Sequence, residues 1–139
     1  MKKVVLFSAL FLALLLTGCS STKRVVCSQK VATVDVDMIM DFKNDVISYM
    51  GLKYTMDLSE YSDDQIKEVE SRDLCVNVKA AMSTYKDAFK NCKQGMQGKE
   101  LVITADFDID KLPGASSGKK VSMEDAIKSL ETQGYKCQK

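Results

Sequence analysis

The chain has 139 residues and a net charge of +1, from 20 lysines and arginines against 19 aspartates and glutamates. That length holds one small hydrophobic core rather than two, and so even a balance offers no argument for nucleic acid or for an anionic membrane surface as a partner. Histidine is absent, which removes the usual base of a serine or cysteine nucleophile and the commonest nitrogen ligand of a metal.

The chain opens with Lys2-Lys3, an apolar run from Val4 to Leu16, and then Thr17-Gly18-Cys19. A basic start, a short apolar centre and small residues at its end make a secretory signal peptide. The run of 13 residues falls short of the roughly 20 that span a bilayer as a helix. Leu16-Thr17-Gly18-Cys19 resembles the lipobox of bacterial lipoproteins. The resemblance implies cleavage between Gly18 and Cys19, diacylglycerol on the Cys19 sulfur and, often, acylation of the new amino terminus. Two or more acyl chains anchor stably where one is marginal. The expected partner of Cys19 is therefore a cell membrane, with the protein facing outside the cytoplasm, extracytoplasmic or periplasmic. Removing residues 1–18 leaves 121 and, with Lys2 and Lys3 gone, a charge of −1. Residues 19–26 then read as anchor and tether, with polar Ser20-Ser21-Thr22-Lys23-Arg24, and 27–139 as a single domain.

Four cysteines remain, Cys27, Cys75, Cys92 and Cys137. An even number in a small exported protein reads as two disulfides, with three connectivities open. No C-x-x-C spacing supports a metal hook or a redox pair. Cys27 and Cys137 lie at the two ends of the domain, and the ends of compact domains are often close, which leaves Cys75 with Cys92. Seventeen residues of continuous helix would set those two about 25 Å apart, whereas a disulfide needs its Cα atoms within about 7 Å. The helix carrying Cys75 must therefore end before Cys92, and the chain must double back.

From Ala32 the pattern alternates: Ala32, Val34, Val36, Met38, Met40 and Phe42 on one face, Thr33, Asp35, Asp37 and Asp41 on the other. Period two over this length predicts a half-buried strand with one wet face. Lys43-Asn44-Asp45 supplies a turn, and Val46, Met50, Tyr54 and Met56 a second strand, with Gly51 as a bulge or bend. Ser62-Asp63-Asp64-Gln65 has the capping-box arrangement of a helix start. The helical pattern then runs into the eighties. Its stripe of Ile66, Val69, Val76 and Ala80 drifts into one of Val78, Met82, Tyr85 and Phe89, which predicts a bend near Ser71-Arg72-Asp73. Gly95 to Gly98 reads as a turn. Leu101, Ile103, Ala105, Phe107 and Ile109 then alternate with Thr104, Asp106, Asp108 and Asp110 as a further strand. After a loop from Pro113 to Gly118, Ser122-Met123-Glu124-Asp125 starts a short helix that Gly134 ends, and Tyr135-Lys136-Cys137 closes the chain as a strand. Strands, helix, strand and helix in this order predict an α+β fold. Its antiparallel sheet has about four to five strands, with one long helix, one short C-terminal helix and a disulfide staple.

Candidate chemistry is sparse. Asp106-Phe107-Asp108-Ile109-Asp110 invites a calcium reading, but the glycine and glutamate of an EF-hand loop are replaced by Lys111 and Ser117. The aspartates read better as the solvated face of a strand. Asp35 and Asp37 repeat the layout, and the two acidic faces would bind a cation weakly if they lay side by side. Gly114-Ala115-Ser116-Ser117-Gly118-Lys119-Lys120 is one residue short of a phosphate-binding loop and has lysine where serine or threonine is needed. It reads as a plain loop. Met38, Met40, Met50 and Met82 fall on apolar stripes as core filling rather than as soft-metal ligands. No catalytic residue, metal ligand or cofactor is assigned.

The mature layout resembles that of the YehR-like family of small bacterial lipoproteins, in the stretch Leu101–Leu112 and in Met123–Tyr135. There a strand leads into an acidic-Lys-Leu turn, a loop, a helix and a glycine-aromatic step. The resemblance implies an α+β fold with helices packed on an antiparallel sheet. It carries over the lipobox cysteine, Cys19, and no catalytic residue. The four further cysteines depart from members that lack them and add stapling. The expected function is a membrane-anchored, non-catalytic binding or envelope-associated module, acting on an envelope protein or a small ligand. The alternative is a metal-dependent or hydrolytic envelope enzyme that uses the strand aspartates. A ligand carrier is a third reading, for which a sizeable apolar pocket beneath the sheet is the mark.

Overall fold

The computed structural model describes residues 22–113 and 121–139. The lipobox, with Gly18 and Cys19, and the loop Gly114–Lys120 lie outside them. In chain order the described residues form β1 (Thr22–Val31), β2 (Val34–Lys43), β3 (Val46–Asp57), α1 (Asp63–Glu70) and α2 (Leu74–Ala81). A 3₁₀ turn at Ser83–Tyr85 follows, then β4 (Phe89–Gln97), β5 (Glu100–Phe107) and a second 3₁₀ turn at Ile109–Lys111. The chain ends with α3 (Met123–Thr132) and β6 (Lys136–Gln138). The fold is α+β, with one antiparallel sheet of six strands in the order β4-β5-β3-β2-β1-β6.

The alternation read from the sequence becomes one covered and one open face. Val25 and Cys27 of β1, Val36, Met38, Met40 and Phe42 of β2, Met50 and Leu52 of β3 and Phe107 of β5 all point to the helices and are buried. Leu58, Leu101 and Ile103 form a second cluster, against which Ile66, Val69, Leu74 and Val78 of α1 and α2 pack. Ala126, Ile127 and Leu130 of α3 close the first cluster.

The β2–β3 hairpin turns on Asn44 and Asp45, both at positive φ (51° and 61°). This is the backbone that a two-residue hairpin turn requires and that asparagine and aspartate tolerate. The bulge in this hairpin is not at Gly51, which pairs in register with Ile39. It lies where the register shifts between Asp41 and Phe42, leaving Ser48 as the extra residue of β3. Its hydroxyl donates to the Asp41 carbonyl at 3.1 Å. The insertion lets both Ile47 and Met50 face the core, although they are three residues apart.

Three further expectations are corrected. The polar stretch Thr22–Val26, read as tether, is the first half of β1, fully paired with β2. Gly95 does not open a turn but sits inside β4, and the chain turns at Gly98-Lys99 instead. The one long helix is two short ones. Asp73 caps α2 through the Val76 N–H, and the side-chain amide of Gln94, on β4, takes up the break. It accepts from the Leu74 N–H at 2.8 Å and donates to the Arg72 carbonyl at 2.7 Å. The bend near Ser71-Arg72-Asp73 is thus a full interruption held by a distant strand. Val76, expected on the apolar stripe, is 61% exposed in consequence. The capping box at Ser62 and Gln65 is formed as expected.

Both disulfides follow the expected pairing. Cys27 and Cys137 face each other across β1 and β6 with Cα atoms 3.9 Å apart. Cys75 of α2 joins Cys92 of β4 at a Cα separation of 5.9 Å. The chain-entropy model assigns about 3 kcal/mol to the 17-residue loop and about 5 kcal/mol to the 110-residue loop. Urea unfolding should therefore show a smaller loss for Cys75→Ala/Cys92→Ala than for Cys27→Ala/Cys137→Ala. A reversed order would show that local packing, not loop closure, sets the contribution of each bond.

Candidate functional site

Of the aspartates singled out in the sequence, the open face of the sheet carries Asp35, Asp37, Asp41 and Asp106, and each of these is engaged. Arg24 on β1 forms a two-pronged pair with Asp41 on β2, at 2.8 and 2.9 Å. The hydrogen bond from Arg24 holds the Asp41 carboxyl below the usual carboxylate range, outweighing its partial burial. Ser28 donates to Asp37 at 2.6 Å, and Lys30 lies 3.9 Å from Asp35. Asp106 on β5 accepts from the Tyr49 hydroxyl at 2.8 Å and from the Asn91 amide at 3.3 Å. Burial and the bond to Asp106 push the Tyr49 hydroxyl upward, so it stays a donor at neutral pH.

The two acidic strands do not meet. β3 lies between β2 and β5, which sets them about 9–10 Å apart at the usual strand spacing. Lys53 of β3 is opposite both Asp37 and Thr104. Asp108 and Asp110 are not on the strand face at all, because β5 ends at Phe107 and Asp108 caps the following 3₁₀ turn. Among the described residues, no three histidine, cysteine, aspartate or glutamate side chains gather where they could hold a metal ion. The open face is a set of cross-strand polar pairs of the kind that stabilise a sheet.

A different site appears on the covered face. The helices do not close over the sheet evenly: α1 and α2 pack over Leu101 and Ile103 of β5, and α3 over Val25, Met40 and Phe42. Between them, at the end of the sheet farthest from Thr22, lies an apolar cleft of about 400 Å³. Its floor is Val34, Val36, Tyr54, Met56, Leu101 and Ile103. Leu74, Asn77 and Val78 of α2 form one wall, and Tyr135 with Gln29 and Val31 the other. Val31 is 54% exposed at the rim. The size falls in the range of small-molecule pockets, and the lining has their usual make-up, mostly apolar with a few convergent polar groups. Burial pushes the Tyr54 and Tyr135 hydroxyls upward, so both remain neutral donors. The sequence marked Val34, Val36, Tyr54 and Val78 only as core residues. Nothing in their spacing separates a core that is filled from one left open.

No protein-family model matches the sequence, and no curated protein matches it. Among solved structures, the chain is similar to the "NMR structure of the protein from Streptococcus pneumoniae TIGR4", at a TM-score of 0.51 and 12% identity, over 86% of this chain and 87% of that one. The likeness is one of fold.

The open face yields a test of its own construction. Gly51 pairs with Asp106, and the Tyr49 ring lies across it to reach that carboxylate, so a Cβ at position 51 would collide with the phenol. Gly51→Ala should displace the ring, break its bond to Asp106 and cost about 1 kcal/mol, the net contribution of one such hydrogen bond. In Tyr49→Ala the same glycine change should cost much less. Equal costs in the two backgrounds, measured by denaturant unfolding as a double-mutant cycle, would contradict this role for Tyr49.

Proposed function

We propose that the protein is a lipid-anchored, non-catalytic binding module of the cell envelope whose cleft takes a small apolar ligand. The reading agrees with the resemblance to YehR-like lipoproteins. What supports it is the cleft between α2 and Tyr135: concave, largely apolar and furnished with neutral hydrogen-bonding groups in Gln29, Tyr54, Asn77 and Tyr135. An occupant that fits is apolar over most of its surface with one or two polar atoms. A strongly charged one would lose its hydration with no ionised partner among the lining residues.

The anchor and the cleft are tested separately. Replacing Cys19 by alanine should move the protein from the membrane pellet to the soluble extracytoplasmic fraction; a Cys19→Ala chain that still pellets overturns the anchor. For the cleft, the Cys19→Ala chain should bind the neutral dye N-phenyl-1-naphthylamine saturably, at one dye per chain. Val31→Glu, which brings a carboxylate to the rim, and Asn77→Trp, which obstructs the mouth, should each weaken that binding severalfold without altering the circular dichroism spectrum. Unchanged titrations in both variants would place any dye elsewhere and remove the cleft from the proposal.

A further inference from the structure

Where the first strand begins has a consequence for how an anchored molecule stands on a membrane. Thr22 is already paired, with Lys43, and only Ser20 and Ser21 separate it from Cys19. Three residue steps of extended chain reach at most about 10 Å, so the acylated cysteine cannot lie farther than that from the start of β1. The rest of this end of the sheet is drawn to the surface with it. It comprises Lys43, the Asn44–Asp45 turn and the start of α3, whose Met123 N–H donates to Asp45 and whose Ser122 bridges to Val46.

The opposite end of the sheet is a single row in register: Val31 opposite Val34, Val34 opposite Met56, and Met56 opposite Leu101. All four line the cleft. From Thr22 to Val31 the strand rises about 30 Å. A mature charge of −1 and an open face that mixes both signs, Arg24, Lys30, Lys53 and Lys136 with Asp35, Asp37, Asp41 and Asp106, supply no strong attraction that would lay the domain flat on an anionic bilayer.

We propose that the Thr22–Lys43 end of the sheet rests on the lipid headgroups of the membrane that holds Cys19, with the cleft about 30 Å from them and open to the aqueous phase. The proposal rests on the anchor reading above. In this orientation the occupant of the cleft arrives from outside the bilayer rather than by extraction from it.

The chain contains no tryptophan, so a single introduced one reports alone. Full-length protein carrying Lys43→Trp or Thr33→Trp, both exposed positions, is produced in a lipoprotein-processing bacterium. It is then reconstituted into phosphatidylcholine vesicles containing nitroxide-headgroup lipid. Mass spectrometry and vesicle flotation are recorded on the same samples. The acylated, floating protein should lose most of its emission with Lys43→Trp and retain it with Thr33→Trp; Lys23→Trp and Val31→Trp serve as a second pair. Equal quenching at both ends would mean that the domain lies flat, and quenching at neither would mean that it stands off the surface. Either result overturns the orientation while leaving the anchor intact. Protein without acyl mass that fails to float overturns the anchor reading, and the orientation with it.

Discussion

The register of one hairpin governs the rest of the molecule. At Asn44–Asp45 the backbone takes left-handed values at two successive residues, which fixes Lys43 opposite Val46. From there the side-chain period of two commits Met38, Met40 and Phe42 to the covered face and Asp37 and Asp41 to the open one. A slip of one residue would exchange them. Phe42 and Met40 are among the most completely buried side chains of the domain. Misregister would expose these large apolar groups and bury carboxylates, so the alternatives are penalised by burial itself.

β2 and β3 are inner strands with long paired partners on both sides; the sequence of β2 advertises this through strict alternation, and that of β3 through alternation broken once by the bulge at Ser48. β1 and β4 do not. In β1 the buried positions are only Val25 and Cys27, set among lysine, arginine, serine and glutamine. In β4 the residues Lys90, Lys93 and Gly95 give the polar signature of an edge. Both strands exist because the neighbouring strand offers a ladder, and a reading along the chain does not see the neighbour. The division of the helix has the same origin. The drift of its stripe showed a change of direction near Ser71–Asp73, but the group that completes the break is Gln94, some twenty residues away on β4. The cysteines were readable for the opposite reason: a disulfide imposes a distance that so long a helix could not meet, so covalent geometry fixed the need for the chain to double back.

The open face and the cleft use the same sheet in opposite ways. On the open face, polar groups find partners across adjacent strands, and Tyr49 spans Gly51 to reach Asp106. On the covered face, two helical layers of limited length meet a sheet too wide for them, and the part left only partly covered falls over Val34, Tyr54 and Met56. Such an opening costs the burial of the side chains around it. A fold of this size bears that cost only if its walls are otherwise secured.

Each wall is secured by one disulfide. Leu74 adjoins Cys75, which ties α2 to β4; Tyr135 stands two residues before Cys137, which ties β6 to β1. The two bonds therefore constrain the unfolded chain and also hold the sides of the cleft against the sheet when nothing fills it. A ligand entering a cavity held in this way would meet walls already ordered, the ordinary advantage of preorganisation. Such a device needs an oxidising compartment. The export that the lipobox resemblance implies is chemically consistent with a cleft whose shape depends on two disulfides.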